Sequence, residues 1–180
     1  MLRKSALLFG LLAGIIVFAY TMIVMLVIGD FGSATPEELQ TAEALGWLRY
    51  IILLLGVLMG MRALRKETTG QLGYGKVLAA GIGVSLVTAF FIGLMEFTYV
   101  QFMNPDFYEQ YIQIAEKQFT NPDDLKAFRE QVEMFPKWAT TGWGTGVFYF
   151  IETFIIGLLM SLLAAIFFRK PGKMSAQASH

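Results

Sequence analysis

The chain has 180 residues, 56% hydrophobic and only 16% charged, with mean hydropathy +0.56 and a formal net charge of zero. A disordered chain could not be this apolar, and four apolar stretches of about 20 residues exceed what the core of one small soluble domain hides. Zero net charge offers no basic face for nucleic acid, and a chain with no Cys and a single His, His180, has no disulfide, thiolate nucleophile, Fe–S cluster or His-rich metal site.

The first predicted span is Ser5–Ile28, 24 residues without a charge. At 1.5 Å per residue it reaches roughly 36 Å, enough to cross a hydrocarbon core of about 30 Å with tilt. Arg3 and Lys4 precede it, but the apolar run is longer than the core of a secretory signal, so it reads as a retained anchor. The first loop, Gly29–Ala44, is short and acidic, with a helix start at Thr35-Pro36-Glu37-Glu38. Span two covers about 45–64 and carries Arg49. The segment Gly70–Lys76 is Gly-rich without Walker spacing and reads as a turn. Span three covers about 77–103 and carries Glu96.

Residues 104–138 then open with Asn104-Pro105-Asp106 and repeat the device at Asn121-Pro122-Asp123-Asp124. Asn caps a helix, Pro fits its first position and Asp complements the dipole. Two amphipathic helices are expected, about 105–118 with Phe107, Tyr111, Ile114 and Phe119 on one face, and about 122–136 with Leu125, Phe128, Val132 and Phe135. Such a hairpin rests on the bundle or the lipid surface, or serves as a lid for a partner. Span four covers about 140–168 and carries Glu152. One transmembrane domain, residues 1–180, accommodates all of this.

Lys and Arg near span ends set orientation. Arg3 and Lys4, then Arg62, Arg65, Lys66 and Lys76, then Arg169, Lys170 and Lys173 fall on one side. Asp30, Glu37, Glu38 and Glu43 fall on the other, with a 104–138 segment holding four basic and seven acidic residues. Both termini are therefore expected in the cytoplasm, with the hairpin outside. Trp47, Trp138 and Trp143 lie at the outer ends of spans two and four, as an interfacial belt requires.

Helices associate in lipid through small residues and buried polar groups. Span one offers Gly10, Gly14 and Thr21; span two Arg49, Leu53, Gly56 and Gly60; span three Gly81, Ser85, Thr88, Glu96 and Tyr99; span four Gly142, Thr145, Gly146, Tyr149, Glu152 and Thr153. The charged residues share faces with the small ones, so they point inward. The expected fold is all-α: an antiparallel four-helix bundle integral to a membrane, with an extracytoplasmic helical hairpin between spans three and four.

An ionisable side chain inside a span marks a candidate site. The candidate polar site is Arg49, Glu96, Tyr99, Thr145, Tyr149 and Glu152. By depth, Arg49 and Glu96 are expected to pair. Glu152 has no evident second cation, which points to a protonated carboxyl hydrogen-bonded to Tyr149 and Thr145, or to an exchanging proton or cation. Met22, Met25, Met59, Met61 and Met95 read as packing rather than a copper site. No metal, no cofactor and no catalytic residue is expected.

These residues resemble the domain of unknown function 4199 family of small bacterial membrane proteins, from about Gly46 to Pro171. The likeness rests on Gly60-Met61-Arg62, on Leu72-Gly73-Tyr74-Gly75-Lys76 followed by Gly81, on Pro105 to Tyr111, on Glu152 to Leu158 and on Ser161 to Ala165 before Arg169-Lys170. Thr153 stands where family members often carry Pro, and Leu78 where they tend to carry an aromatic. The resemblance implies four spans without assigned activity and carries over no catalytic residue. The expected function is non-enzymatic, a structural or accessory membrane protein acting through helix faces or the outer hairpin. Its partners are the bilayer and a membrane-protein partner or a second copy. The alternative is a small proton- or cation-coupled carrier using Glu152 and Glu96, which as a lone chain of this size would need a dimer to enclose a path.

Overall fold

A computed structural model describes residues 4–28, 35–134 and 136–170. Arg3, Gly29, Asp30, Phe135, Pro171 and Lys173 lie outside the described residues. In chain order the helices are α1 (Lys4–Ile28), α2 (Pro36–Glu67), α3 (Tyr74–Thr98), α4 (Phe107–Gln118), α5 (Pro122–Met134) and α6 (Gly142–Phe168). A π-helical turn, Tyr99–Met103, continues α3, and a 3-10 turn, Lys137–Thr140, precedes α6. Among the described residues the only strand-like pairing is the antiparallel bridge between Leu72 and Lys170.

Four of these helices, α1, α2, α3 with its π turn, and α6, are long and apolar enough to cross a membrane. α2 is longer than the span expected from hydropathy. Most of the predicted first loop is its N-terminal extension, because Thr35 forms a complete capping box: its hydroxyl oxygen accepts from Glu38 N–H at 3.3 Å, and Glu38 accepts from Thr35 N–H at 2.7 Å. Tyr74, placed in the predicted turn, already begins α3. The turn itself bends at Gly70, whose φ of +119° only glycine adopts without strain.

α1 and α6 each pack against both α2 and α3. Lipid-like surroundings give apolar side chains no reason to prefer a neighbouring helix, so close backbone approach decides where the helices meet. A Cβ on Gly93 would lie 2.6 Å from the Gly146 carbonyl oxygen of α6, and one on Gly146 would lie 2.8 Å from the Gly93 oxygen. Gly157 lies against Ser85, Gly10 against the Val84 backbone, Gly56 against Ala13, and Gly60 against Val84. Thr88 donates across to the Gly10 carbonyl at 3.3 Å, and the Ser85 and Ser161 hydroxyls stand 3.3 Å apart. The small-residue stripes read from the sequence are therefore the buried faces of the helices.

Two apolar cores result. One gathers Leu53, Val57, Met61, Val77 and Val84 with Ala164 and Ala165, toward the α2–α3 turn. The other gathers Met95, Tyr99 and Val100, with Phe18, Met22 and Met25 of α1 and with Phe107 and Ile114 of α4. These methionines are packed as filler, and α4 rests on the end of the helix assembly through Phe107 and Ile114. α5 is tied to α4 by Arg129, whose Nε and Nη2 donate to the two Glu116 oxygens at 2.8 and 3.2 Å, and by the Phe119–Phe128 ring contact. The Arg129 guanidinium holds the Glu116 carboxyl below its ordinary value. Asn121 caps α5 as expected, accepting from Asp123 N–H at 3.0 Å. Asn104 does not cap α4. The π turn ends there, with Asn104 N–H donating to the Tyr99 carbonyl at 2.8 Å, and Asp106 takes the capping position.

Candidate functional site

Arg49 sits on the part of α2 that faces both α3 and α6. Its Nη1 lies 3.5 Å from Glu96 Oε1 on α3, and its Nη2 lies 3.7 Å from Glu152 Oε2 on α6. One guanidinium therefore serves two carboxylates on two helices. The expected Arg49–Glu96 pair is present. No second cation faces Glu152 among the described residues; it shares Arg49 with Glu96 instead, because a fork-shaped guanidinium can face two acceptors at once.

Tyr50 completes the arrangement. Arg49 Nη2 donates to its hydroxyl oxygen at 2.8 Å, and that hydroxyl donates to Glu152 Oε1 at 2.7 Å. The guanidinium carbon lies 4.8 Å from the ring centroids of both Tyr50 and Tyr149. A cation between electron-rich ring faces is stabilised by about 2 kcal/mol when desolvated. The aromatic rings thus replace part of the hydration that Arg49 loses.

Two expected hydrogen bonds to Glu152 are different in the structure. The Thr145 hydroxyl donates to the Thr141 carbonyl of its own helix at 2.9 Å, the usual local bond of a helical Thr. Tyr149 meets Arg49 with its ring. Tyr99 packs edge-on against Phe107, and its hydroxyl oxygen accepts from Asn104 Nδ2 at 3.4 Å, which places it in the core beneath α4. Arg49, Glu96, Tyr149 and Glu152 are thus brought together, and Thr145 lies one turn before Tyr149 on α6.

Tyr50 was missing from the sequence reading. Its signal was there: Tyr50, Leu53 and Val57 fall at i, i+3 and i+7, and the latter two are fully buried. Beside Trp47 and Arg49, however, Tyr50 reads as an interfacial aromatic.

Burial grades across the cluster. The Glu96 side chain is 3% exposed, Arg49 15% and Glu152 32%. Among the described residues Arg49 Nε, Glu152 Oε2 and Thr153 Oγ1 are buried without a hydrogen bond. Chemically, the arrangement can fasten three helices at one level, and it leaves one carboxylate oxygen able to accept a proton or a small cation.

Four long apolar helices, three of which meet at a buried charge cluster, give the chain the make-up of a membrane protein. It belongs to the family described as "Protein of unknown function (DUF4199)", which matches residues 8–170. No curated protein and no solved structure matches the chain.

Proposed function

We propose that this chain is a non-enzymatic structural or accessory protein of a bacterial cytoplasmic membrane, an antiparallel bundle in which Arg49 clasps α2 to α3 and α6. The observation that carries this reading is the single guanidinium shared by Glu96 and Glu152 and flanked by two tyrosine rings. Each of these charges comes from a different helix, and each has its partner inside the protein. Polar contacts of that kind join helices where apolar contact alone gives no preference.

Both termini face the cytoplasm in this reading, and the α4–α5 hairpin faces outward. Several observations support it. Arg65 and Lys66 end α2 beside Arg169 and Lys170 at the end of α6, where the Leu72–Lys170 bridge joins the two segments. Trp47, Trp138 and Trp143 are all exposed toward the opposite end, as head-group anchors are. Labelling of single cysteines introduced into this Cys-free chain tests the orientation: Lys76→Cys should react only from the cytoplasmic side, and Lys126→Cys only from outside.

A second reading is favoured by one observation, the partly exposed Glu152 with its unbonded Oε2. It makes the chain a proton- or cation-coupled carrier through Glu152 and Glu96. Proteoliposomes separate the two. A structural clasp gives no proton or monovalent-cation flux above protein-free vesicles; a flux abolished by Glu152→Gln establishes the carrier.

A further inference from the structure

A cavity of about 460 Å³ opens where α2 and α6 end, lined by Arg62, Arg65, Lys66, Phe168 and Lys170. Four cations surround it, and no carboxylate lines it. Two of the four are fixed by backbone. Lys170 Nζ donates to the carbonyls of Arg65 at 2.7 Å and Thr68 at 2.9 Å, and Arg65 Nη1 donates to the Phe167 carbonyl at 3.3 Å. Each helix end thus has carbonyls satisfied by a cation of the other segment, and the main-chain bridge between Leu72 and Lys170 closes the same corner.

Arg62 and Lys66 differ. They stand one turn apart on α2, exposed, and among the described residues neither makes a hydrogen bond or ion pair. Like charges held this close repel one another, so the rim is complementary to an anion that none of the lining residues supplies.

The position of the cavity selects the anion. It sits at the ends of the spans Gln40–Glu67 and Gly142–Phe168, the level of lipid head groups. Arg62 and Lys66 also head an exposed apolar stripe. Ile51 and Leu55 each lie 11 residues before one of them, three helical turns down the same face, with Met59 between. A molecule with an anionic head and an apolar tail matches both halves, and basic pockets at helix ends hold such head groups. We propose that this cavity binds the phosphate of an anionic phospholipid, whose acyl chains lie along Ile51, Leu55 and Met59. The proposal rests on the membrane reading of the four spans.

Native mass spectrometry of the detergent-purified protein tests it, with phosphatidylglycerol and phosphatidylcholine as probes. Phosphatidylglycerol adducts should persist where phosphatidylcholine adducts are lost. Arg62→Gln/Lys66→Gln should weaken phosphatidylglycerol binding about thirty-fold, at about five-fold per cation. Lys76→Gln/Arg169→Gln, which removes equal charge outside the cavity, should leave it within two-fold. If the double variant does not fold, single Arg62→Gln and Lys66→Gln carry the test at about five-fold each. Equal retention of the two lipids, or equal loss in the control, overturns the proposal. Displacement by inorganic phosphate at matched concentration also overturns it, since the site then takes a free anion. Failure of the membrane reading is distinguishable, because the protein would then leave the membrane fraction without detergent.

Discussion

Replacing Arg49 by Met should destabilise the fold by about 3–5 kcal/mol, the usual cost of removing one partner from a buried ion pair. The structure explains the size. Arg49 faces Glu96 at 3.5 Å and Glu152 at 3.7 Å. At an effective dielectric of about 20, each attraction is worth roughly 4–5 kcal/mol before desolvation. Desolvation offsets much of that in the intact protein, and the one-third exposure of Glu152 screens its share. What the Met variant loses is compensation. Glu96, 3% exposed, is left without a cation and near a second carboxylate. Removing all three charges should therefore be milder than removing one. Arg49→Met/Glu96→Met/Glu152→Gln is expected to recover at least half of the loss. Reversible unfolding in mixed micelles, followed by far-UV circular dichroism, reads both values. A loss below about 1 kcal/mol for Arg49→Met, the range of a surface pair, refutes the reasoning, as does a triple variant less stable than the single one.

Other outcomes follow from particular contacts. Gly93→Ala should separate α3 from α6 and cost about 2 kcal/mol or more, since its Cβ would meet a backbone oxygen. Gly46→Ala, with nothing within 4 Å, should be neutral or stabilising in the same unfolding assay. Thr35→Ala removes the capping box at a cost of about 1 kcal/mol, seen as faster hydrogen exchange at 36–44 with little change in α3. The Glu116–Arg129 contact should depend on pH. Glu116 titrates below its ordinary value of 4.5, so the contact is fully present above that value. It is lost as pH falls through the lowered value. Faster exchange in α5 below pH 4.5, absent in Arg129→Gln, is the expected signature.

The spans and their buried faces were legible because apolar length and small-residue spacing act locally along one helix. Gly10, Gly56, Gly60, Gly81 and Gly146 are all at helix contacts. The N-terminal third of α2 was less visible because Pro36–Ala44 is polar, and hydropathy passes over a helix that a capping box and good helix formers sustain. The start of α4 shifted because a π turn consumed Asn104 in satisfying Tyr99, a tertiary choice with no sequence motif. The polar site was half legible. Depth along each span correctly paired Arg49 with Glu96. The second carboxylate, Glu152, depends on how far α2 and α6 lie apart laterally, which no single helix encodes. The buried face of α2 includes Tyr50, but its bridging role depends on the same lateral spacing, since its hydroxyl joins residues on two helices.

The most direct test of the clasp is a solid-state NMR distance measurement in lipid, with 15N in the Arg guanidinium and 13C in the Glu carboxyl groups. Arg49 should dephase the carboxyl signals of both Glu96 and Glu152, consistent with nitrogen–oxygen separations of 3.5 and 3.7 Å, and each signal should vanish in the matching Gln variant. Contact with Glu96 alone, alongside a Glu152 in exchange with bulk water, contradicts the clasp and turns the site toward proton or cation passage.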